Sequence, residues 1–125
     1  MKALNSIQVK HYKANKKGPH VLISAGVHGD EFEPILAALE LSAIIEDILE
    51  AGEVNIVPVV NTSAFAVGSR YGADGLDLAR ICPGNPSGSD SEKCAAFISG
   101  MIRHADYFID MHTGGNLFDI FPLAG

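Results

Sequence analysis

The chain has 125 residues, of which 47% are hydrophobic and 19% are charged, and its formal net charge at pH 7 is -6. This composition predicts a folded domain with a modest core and excludes a disordered chain, and no apolar run reaches the roughly 18 residues that a membrane span requires. The negative charge argues against a nucleic-acid partner, because such binding needs a basic patch and the only candidate is the short lysine-rich segment 10–17.

Residue patterns predict strands and helices in alternation along the chain. Alternating apolar side chains predict a half-buried first strand over residues 6–12, and an unbroken apolar run predicts a strand covered on both faces over residues 21–25. Residues 31–51 have apolar side chains at helical spacing, with Asp30 as the expected N-cap and Pro34 in the first turn. A long helix therefore follows the second strand directly.

The rest of the chain repeats this alternation and gives the fold class. The predicted elements are a strand over residues 54–60, a short helix over 63–68, a long surface loop over 71–91, a helix over 91–104 capped by Asp90 or Ser91, a strand over 107–111 and an extended segment over 117–122. Because no repeat or linker divides the chain, residues 1–125 are expected to form one domain. The pattern predicts an α/β fold with a mainly parallel or mixed twisted sheet and helices on both faces.

The two cysteines, Cys82 and Cys94, match no metal-binding or redox spacing. We interpret them as reduced structural thiols. The first residues lack the apolar core of a secretory signal, so the expected compartment is the cytoplasm.

A histidine and a carboxylate stand three residues apart where the second predicted strand meets the long helix. Gly26 and Gly29 flank His28 and allow the backbone to fold tightly there, and Glu31 lies at the positive end of the helix, which favours its ionised form. A second histidine, His112, follows an apolar strand pattern further along the chain. Two histidines and one glutamate form a standard zinc site of hydrolases. The residues by themselves leave open whether the histidines bind a metal or have structural roles.

Three blocks of this sequence resemble the succinylglutamate desuccinylase/aspartoacylase family, a branch of the zinc carboxypeptidase-like hydrolases. The blocks are GVHGDE at residues 26–31, NTSAFAVGSRY at 61–71 with LDLAR at 76–80, and DMHTG at 110–114. Their order and spacing match the family pattern from about residue 21 to residue 112.

The resemblance implies a zinc carboxypeptidase-like catalytic domain, of which this chain is the N-terminal part. It implies one Zn²⁺ per chain, bound by His28, Glu31 and His112, and a hydrolase that cleaves the amide bond of an N-acyl amino acid.

The resemblance also assigns roles to two arginines, which a single sequence without the resemblance would favour as ordinary surface residues. Arg70 is expected to bind the substrate and to stabilise the oxyanion of the reaction, and Arg80 is expected to bind a substrate carboxylate. The implied partner is a small molecule that carries a carboxylate, and a homo-oligomer remains possible.

Two features depart from the family pattern. Ala79 stands where the family has an asparagine before Arg80, which removes a polar group and leaves the substrate open. The family's general base is a glutamate on a strand beyond the third zinc ligand, and nothing after His112 matches it, so the domain is expected to be incomplete at its C-terminus. Asp77 is expected to hold an arginine or to shape a turn, and Asp110 to orient a histidine or to cap its strand.

Three other functions stay open on this evidence. The chain could belong to a zinc carboxypeptidase that acts on peptides or cell-wall fragments, or it could be a metal-binding module without catalysis. The third alternative is an α/β domain whose histidines are structural.

Overall fold

A mixed four-stranded sheet forms the centre of the computed structural model, which describes residues 7–125. The elements in chain order are β1 (Lys10–Lys13), β2 (His20–Ser24), α1 (Phe32–Ile48), β3 (Glu53–Val57), α2 (Thr62–Val67), α3 (Leu78–Ile81), α4 (Asp90–Ile102) and β4 (Tyr107–Asp110). The strand order is β1-β3-β2-β4, in which β3 and β4 run parallel to β2, and β1 is antiparallel to β3. The predicted α/β fold class is confirmed.

Helices cover both faces of β2 and β3, whose successive side chains point to opposite sides of the sheet, whereas all four residues of β4 are exposed. Leu22 of β2 is fully buried in a cluster with Ile98 of α4, whereas the next residue, Ile23, belongs to a second cluster with Ile35 and Ala38 of α1. The core therefore has two layers, one under α1 and one under α3 and α4. Among residues 7–125, no helix combines the length and the apolar character that crossing a bilayer requires.

The parallel pairing of β2 with β4 decides where the chain's polar residues meet. Ser24, the last residue of β2, lies opposite Asp110, the last residue of β4, and its hydroxyl donates a hydrogen bond to the Asp110 carboxylate. The segments that follow the two strands therefore leave the same edge of the sheet side by side. In open α/β sheets this carboxyl edge is where ligands bind.

The first strand and the long helix have different bounds from those that the sequence predicts. Strand β1 is limited to Lys10–Lys13, residues 7–9 are not in a strand, and residue 6 lies outside the described residues. Helix α1 begins at Phe32 with Glu31 as N-cap, so the prediction of Asp30 is wrong. The Glu31 side chain makes no capping hydrogen bond because its carboxylate is turned towards two imidazoles.

The segment predicted as one long loop contains a short helix. Asp77 is the N-cap of α3, and its carboxylate accepts a hydrogen bond from the Ala79 N–H. Leu78, only 2% exposed, anchors this helix in the core. Four residues are too few to show helical periodicity, so the sequence pattern gave no signal.

The other helix and strand limits differ by a few residues, and one predicted element is absent. Helix α4 is capped by Ser89 rather than Asp90 or Ser91, and the Ser89 N–H donates to the Glu92 carboxylate in the manner of a capping box. Strand β3 ends at Val57, three residues before the predicted end. Residues 117–122, predicted to be extended, lie on the surface without forming a strand in the described structure.

Asp74 ties the start of α4 to the loop that carries Asp77. Its carboxylate accepts hydrogen bonds from the Ser91 N–H and hydroxyl, both at 2.8 Å, and from the Leu76 N–H at 3.2 Å. Burial raises the pKa of Asp74, but the hydrogen bonds that the carboxylate accepts, those from Ser91 foremost, together outweigh burial, so the pKa lies below its ordinary value. The stabilisation is therefore fully present above the ordinary carboxyl pKa and is lost as the pH falls below it.

We predict that Asp74→Ala lowers the free energy of unfolding by about 1–3 kcal/mol at pH 7, because three donors lose their acceptor. The difference from wild type should shrink as the pH falls below about 4, where the Asp74 carboxylate of the unfolded chain becomes protonated while that of the folded chain, with its lowered pKa, does so at lower pH. Urea denaturation at pH 7 and below pH 4 measures the difference in the free energy of unfolding. Asp47→Ala, on the exposed side of α1, is the control. Equal losses for the two variants at pH 7 would contradict the prediction.

Candidate metal centre

Two imidazoles converge on one carboxylate at the carboxyl edge of the sheet. His28 Nδ1 lies 2.8 Å from Glu31 Oε1, and His112 Nδ1 lies 3.0 Å from Glu31 Oε2. One potential ligand atom from each of the three residues lies within 4.8 Å of the other two. His28 and Glu31 are 4% and 2% exposed, whereas His112 is open to solvent on one side. The structure thus brings together all three residues that the sequence predicts as metal ligands.

The loop after β2 presents His28 and Glu31 because two glycines let the backbone pack closely. Gly26 has a φ of +64°, and its carbonyl accepts a hydrogen bond from the Asn61 N–H. Gly29 lies so close to α2 that an added Cβ would be 2.1 Å from the carbonyl carbon of Ala64. Any larger residue at position 29 would push the loop, and with it both side chains, away from α2.

Each candidate ligand histidine has a second carboxylate on its far ring nitrogen. His28 Nε2 lies 3.3 Å from Asp77 Oδ1, and His112 Nε2 lies 2.7 Å from Asp110 Oδ2. Metal-binding histidines typically donate their second N–H to such a carboxylate, which fixes the orientation of the ring. Both rings here have Nδ1 turned towards Glu31. The structure thus favours an orienting role for Asp110, one of the two roles that the sequence left open.

Hydrogen bonds and charge keep Glu31 ionised despite its burial. Burial raises its pKa, but hydrogen bonds from His112, His28 and the Thr113 N–H lower the pKa of Glu31 to about 2. Hydrogen bonds to Asp110 and Glu31 raise the pKa of His112 to about 10, against burial, which lowers it. Because a metal binds only the deprotonated imidazole, metal binding to His112 must release its proton.

The two arginines occupy different positions relative to this cluster. Arg70 Nη1 lies 3.6 Å from Glu31 Oε1, and its Nη2 lies 3.3 Å from Asp77 Oδ2. In the part of the chain that the structure describes, Arg80 forms one ion pair, with 3.6 Å between its Nε and Asp77 Oδ2, and its side chain is 83% exposed. Arg70 therefore borders the candidate ligands directly, and Arg80 lies at the rim of the site. Ala79, between Asp77 and Arg80 in sequence, is exposed and offers only its backbone N–H to Asp77.

Sequence reasoning missed two contributions to the site. Asp77 contacts both arginines, as one of its two expected roles requires, but its contact with His28 was not expected from its place in a predicted loop. Thr113 donates its backbone N–H to Glu31 Oε2 at 3.0 Å, and its hydroxyl donates to Glu33 at 3.3 Å. The only signal in the sequence was the position of Thr113 directly after His112.

The donor set fits a divalent metal ion. Two imidazole nitrogens and one carboxylate oxygen are the ligands that catalytic metal sites of hydrolases use with an open fourth position. The buried carboxylate supplies negative charge, and the orienting carboxylates increase the basicity of the imidazoles. The site is therefore chemically suited to hold a metal beside two arginine side chains.

The sheet and its helices define a structural class, the metallocarboxypeptidase-like fold. A metallo-carboxypeptidase structure from Pseudomonas aeruginosa is 21% identical, covers 86% of this chain and 31% of its own, and has a TM-score of 0.62. At that identity the likeness concerns the fold alone. Within this class, the chain belongs to the succinylglutamate desuccinylase/aspartoacylase family, because residues 17–124 match the family's catalytic-domain model. The resemblance seen in the sequence is confirmed.

Two relatives show how much of the family's length this chain represents. An N-alpha-acetyl-L-2,4-diaminobutyric acid deacetylase from Halomonas elongata is 40% identical over 110 residues, which are 86% of this chain and 32% of that protein. A succinylglutamate desuccinylase/aspartoacylase structure from Rhodobacter sphaeroides is 37% identical, with a TM-score of 0.80, and the match covers 87% of this chain and 34% of that one. The chain spans about a third of the length of these relatives.

We predict that Asp77→Asn and Asp110→Asn each weaken zinc binding by about 10- to 100-fold, because the affected imidazole loses the carboxylate that orients it. Competition with a fluorescent zinc chelator measures the affinity. Asp47→Asn on the exposed side of α1 is the matched control and should bind zinc as wild type does. Wild-type affinity in both site variants would show that these carboxylates do not support metal binding.

Proposed function

We propose that this chain forms the metal-binding part of a zinc-dependent hydrolase that cleaves the amide bond of an N-acyl amino acid. The observation that carries the proposal is the convergence of His28 and His112 on the buried carboxylate of Glu31. The family supports the reaction type, since it comprises deacylases of acylated amino acids.

His28, Glu31 and His112 would hold one Zn²⁺ per chain. Zinc in such a site supplies a bound water of lowered pKa and polarises the carbonyl to be cleaved. The protein's contribution is to hold the two imidazoles with Nδ1 turned towards Glu31, which Asp77 and Asp110 do through the opposite nitrogens. Thr113 holds the second oxygen of Glu31 through its backbone N–H.

Arg70 is the residue proposed to stabilise the negative charge that develops on the substrate carbonyl oxygen. Its guanidinium borders the candidate metal ligands, and the side chain is 44% exposed, so it is accessible to a bound substrate. A fixed cation next to a developing oxyanion favours the transition state over the ground state. Arg70 would therefore act both in catalysis and in substrate binding.

Arg80 is the residue proposed to bind the substrate's carboxylate. Its side chain extends into solvent at the rim of the site, and among residues 7–125 its one ion pair is the 3.6 Å contact with Asp77. A guanidinium suits a carboxylate because the two can form paired hydrogen bonds. Ala79 beside it offers no polar side chain, so the carboxylate would depend on Arg80 without help from an adjacent amide.

The relatives suggest which acyl groups to test first. The deacetylase from Halomonas elongata, which is 40% identical, is named for an N-acetylated diamino acid. The family is named for two enzymes, succinylglutamate desuccinylase and aspartoacylase. We propose a small N-acyl amino acid as substrate, with the acetyl derivative of 2,4-diaminobutyric acid as the first candidate. The resemblance assigns the general base to a glutamate beyond the third zinc ligand, so the assays use the full-length protein.

The test is release of free amine from N-acetyl-2,4-diaminobutyrate, N-succinylglutamate, N-acetylaspartate and short peptides by the zinc-loaded protein. We expect cleavage of at least one N-acyl amino acid, loss of activity with a chelator and its return with zinc. Cleavage of peptides alone would instead indicate a carboxypeptidase. Zinc binding without release of amine from any substrate would indicate a metal-binding module and would refute the hydrolase proposal.

For the substrate that is cleaved, we predict that Arg80→Ala raises KM by roughly 10- to 100-fold and changes kcat little, because a charged hydrogen bond that is equal in ground and transition states is lost. Steady-state kinetics separate the two constants. Arg103→Ala, on an exposed arginine at the end of α4, is the control. A fall in kcat at unchanged KM would assign Arg80 to the chemical step instead.

A further inference from the structure

Arg70 and the candidate metal share one carboxylate. The Nη1 atom of Arg70 lies 3.6 Å from Oε1 of Glu31, the same oxygen that His28 Nδ1 approaches at 2.8 Å. The second terminal nitrogen of Arg70 lies 3.3 Å from Asp77 Oδ2, so the guanidinium bridges a candidate ligand and the residue that orients another. Glu31 is the only carboxylate among the three candidate ligands.

This arrangement places two positive charges in competition for Glu31. A cation bound by Glu31, His28 and His112 would lie within a few ångströms of the Arg70 guanidinium, and like charges at that separation repel each other even where the effective dielectric constant is high. The burial of Glu31, at 2% exposure, limits screening on one side, and the partial exposure of Arg70 allows it on the other. The interaction is therefore unfavourable but moderate.

We propose that Arg70 lowers the metal affinity of this site by competing for Glu31, and that metal binding in turn loosens Arg70 from Glu31 and frees it for the substrate. This inference rests on the proposed function. The two effects are equal by thermodynamic linkage. If the contact between Arg70 and Glu31 weakens metal binding by a given free energy, a bound metal weakens that contact by the same free energy. Asp77 and the ring of Tyr71, 5.8 Å from the guanidinium carbon, keep the released side chain near the site.

The sign of the effect separates this role from a structural one. If Arg70 served only to hold Glu31 and Asp77 in place, its removal would disorder the ligands and weaken metal binding. If it competes with the metal, removal of its charge strengthens metal binding, and the gain depends on ionic strength. Arg80 provides the matched control, because it contacts Asp77 but not Glu31 in the described structure.

The experiment compares zinc affinities of full-length wild type, Arg70→Met, Arg70→Lys and Arg80→Met by competition with a fluorescent chelator at low and high salt. Arg70→Met keeps the apolar stem without the charge, and Arg70→Lys keeps the charge. We expect about 3- to 10-fold tighter zinc binding for Arg70→Met at low salt. The zinc affinities of Arg70→Lys and Arg80→Met should stay within about twofold of wild type. High salt should reduce the increase in zinc affinity that Arg70→Met shows at low salt.

Unchanged or weaker zinc binding by Arg70→Met would overturn the inference, and so would an equal gain in Arg70→Lys, because charge would then not be the cause. Circular dichroism and urea denaturation check that each variant folds, and Arg70→Gln replaces Arg70→Met if that variant does not. Failure of the wild-type protein to bind zinc is a different result, which would refute the proposed function itself.

Discussion

The parallel pairing of β2 with β4 is the interaction on which the site depends. Glu31 and His112 are 81 residues apart in the chain, and they meet because Ser24 and Asp110 end neighbouring strands at the same level. Hydrogen bonds of the parallel ladder fix that register, and the Ser24 hydroxyl adds a side-chain bond to Asp110. A shift of one residue would turn Asp110 away from Ser24, because strand side chains alternate between faces, and would displace the segment that carries His112.

A buried carboxylate imposes the second constraint. Glu31 is 2% exposed, and such a charge is tolerated only where donors surround it. Two imidazoles, one backbone N–H and one guanidinium supply that environment, and Asp77 and Asp110 balance the positive side chains in turn. Because carboxylates and positively charged side chains are neighbours in this cluster, the cluster is suited to a cation and Arg70 lies beside Glu31. In the proposed function, metal binding and the oxyanion role of Arg70 are therefore linked through one carboxylate.

Local signals predicted the elements better than they predicted their ends. The buried run at residues 21–25 and the helical stripe at residues 31–51 were both found close to their predicted positions. Asp30 was expected to cap α1 because short acidic side chains favour that position, but the helix starts one residue later, and the carboxylate of Glu31 turns to the imidazoles instead. A helix of four residues, α3, gave no periodic signal, and tertiary packing of Leu78 decides it.

The sequence by itself determined the fold class, because hydrophobic periodicity is a local property. The resemblance of three sequence blocks to one family then gave the family and the candidate ligands His28, Glu31 and His112. Only the tertiary structure decided that Asp77 supports His28, that Arg70 borders Glu31 and that Arg80 lies at the rim. Those contacts join segments far apart in the chain or depend on how an irregular loop is anchored. Strand register and core packing decide which side chains of such segments become partners. Both depend on the whole fold, so no short stretch of sequence predicts them.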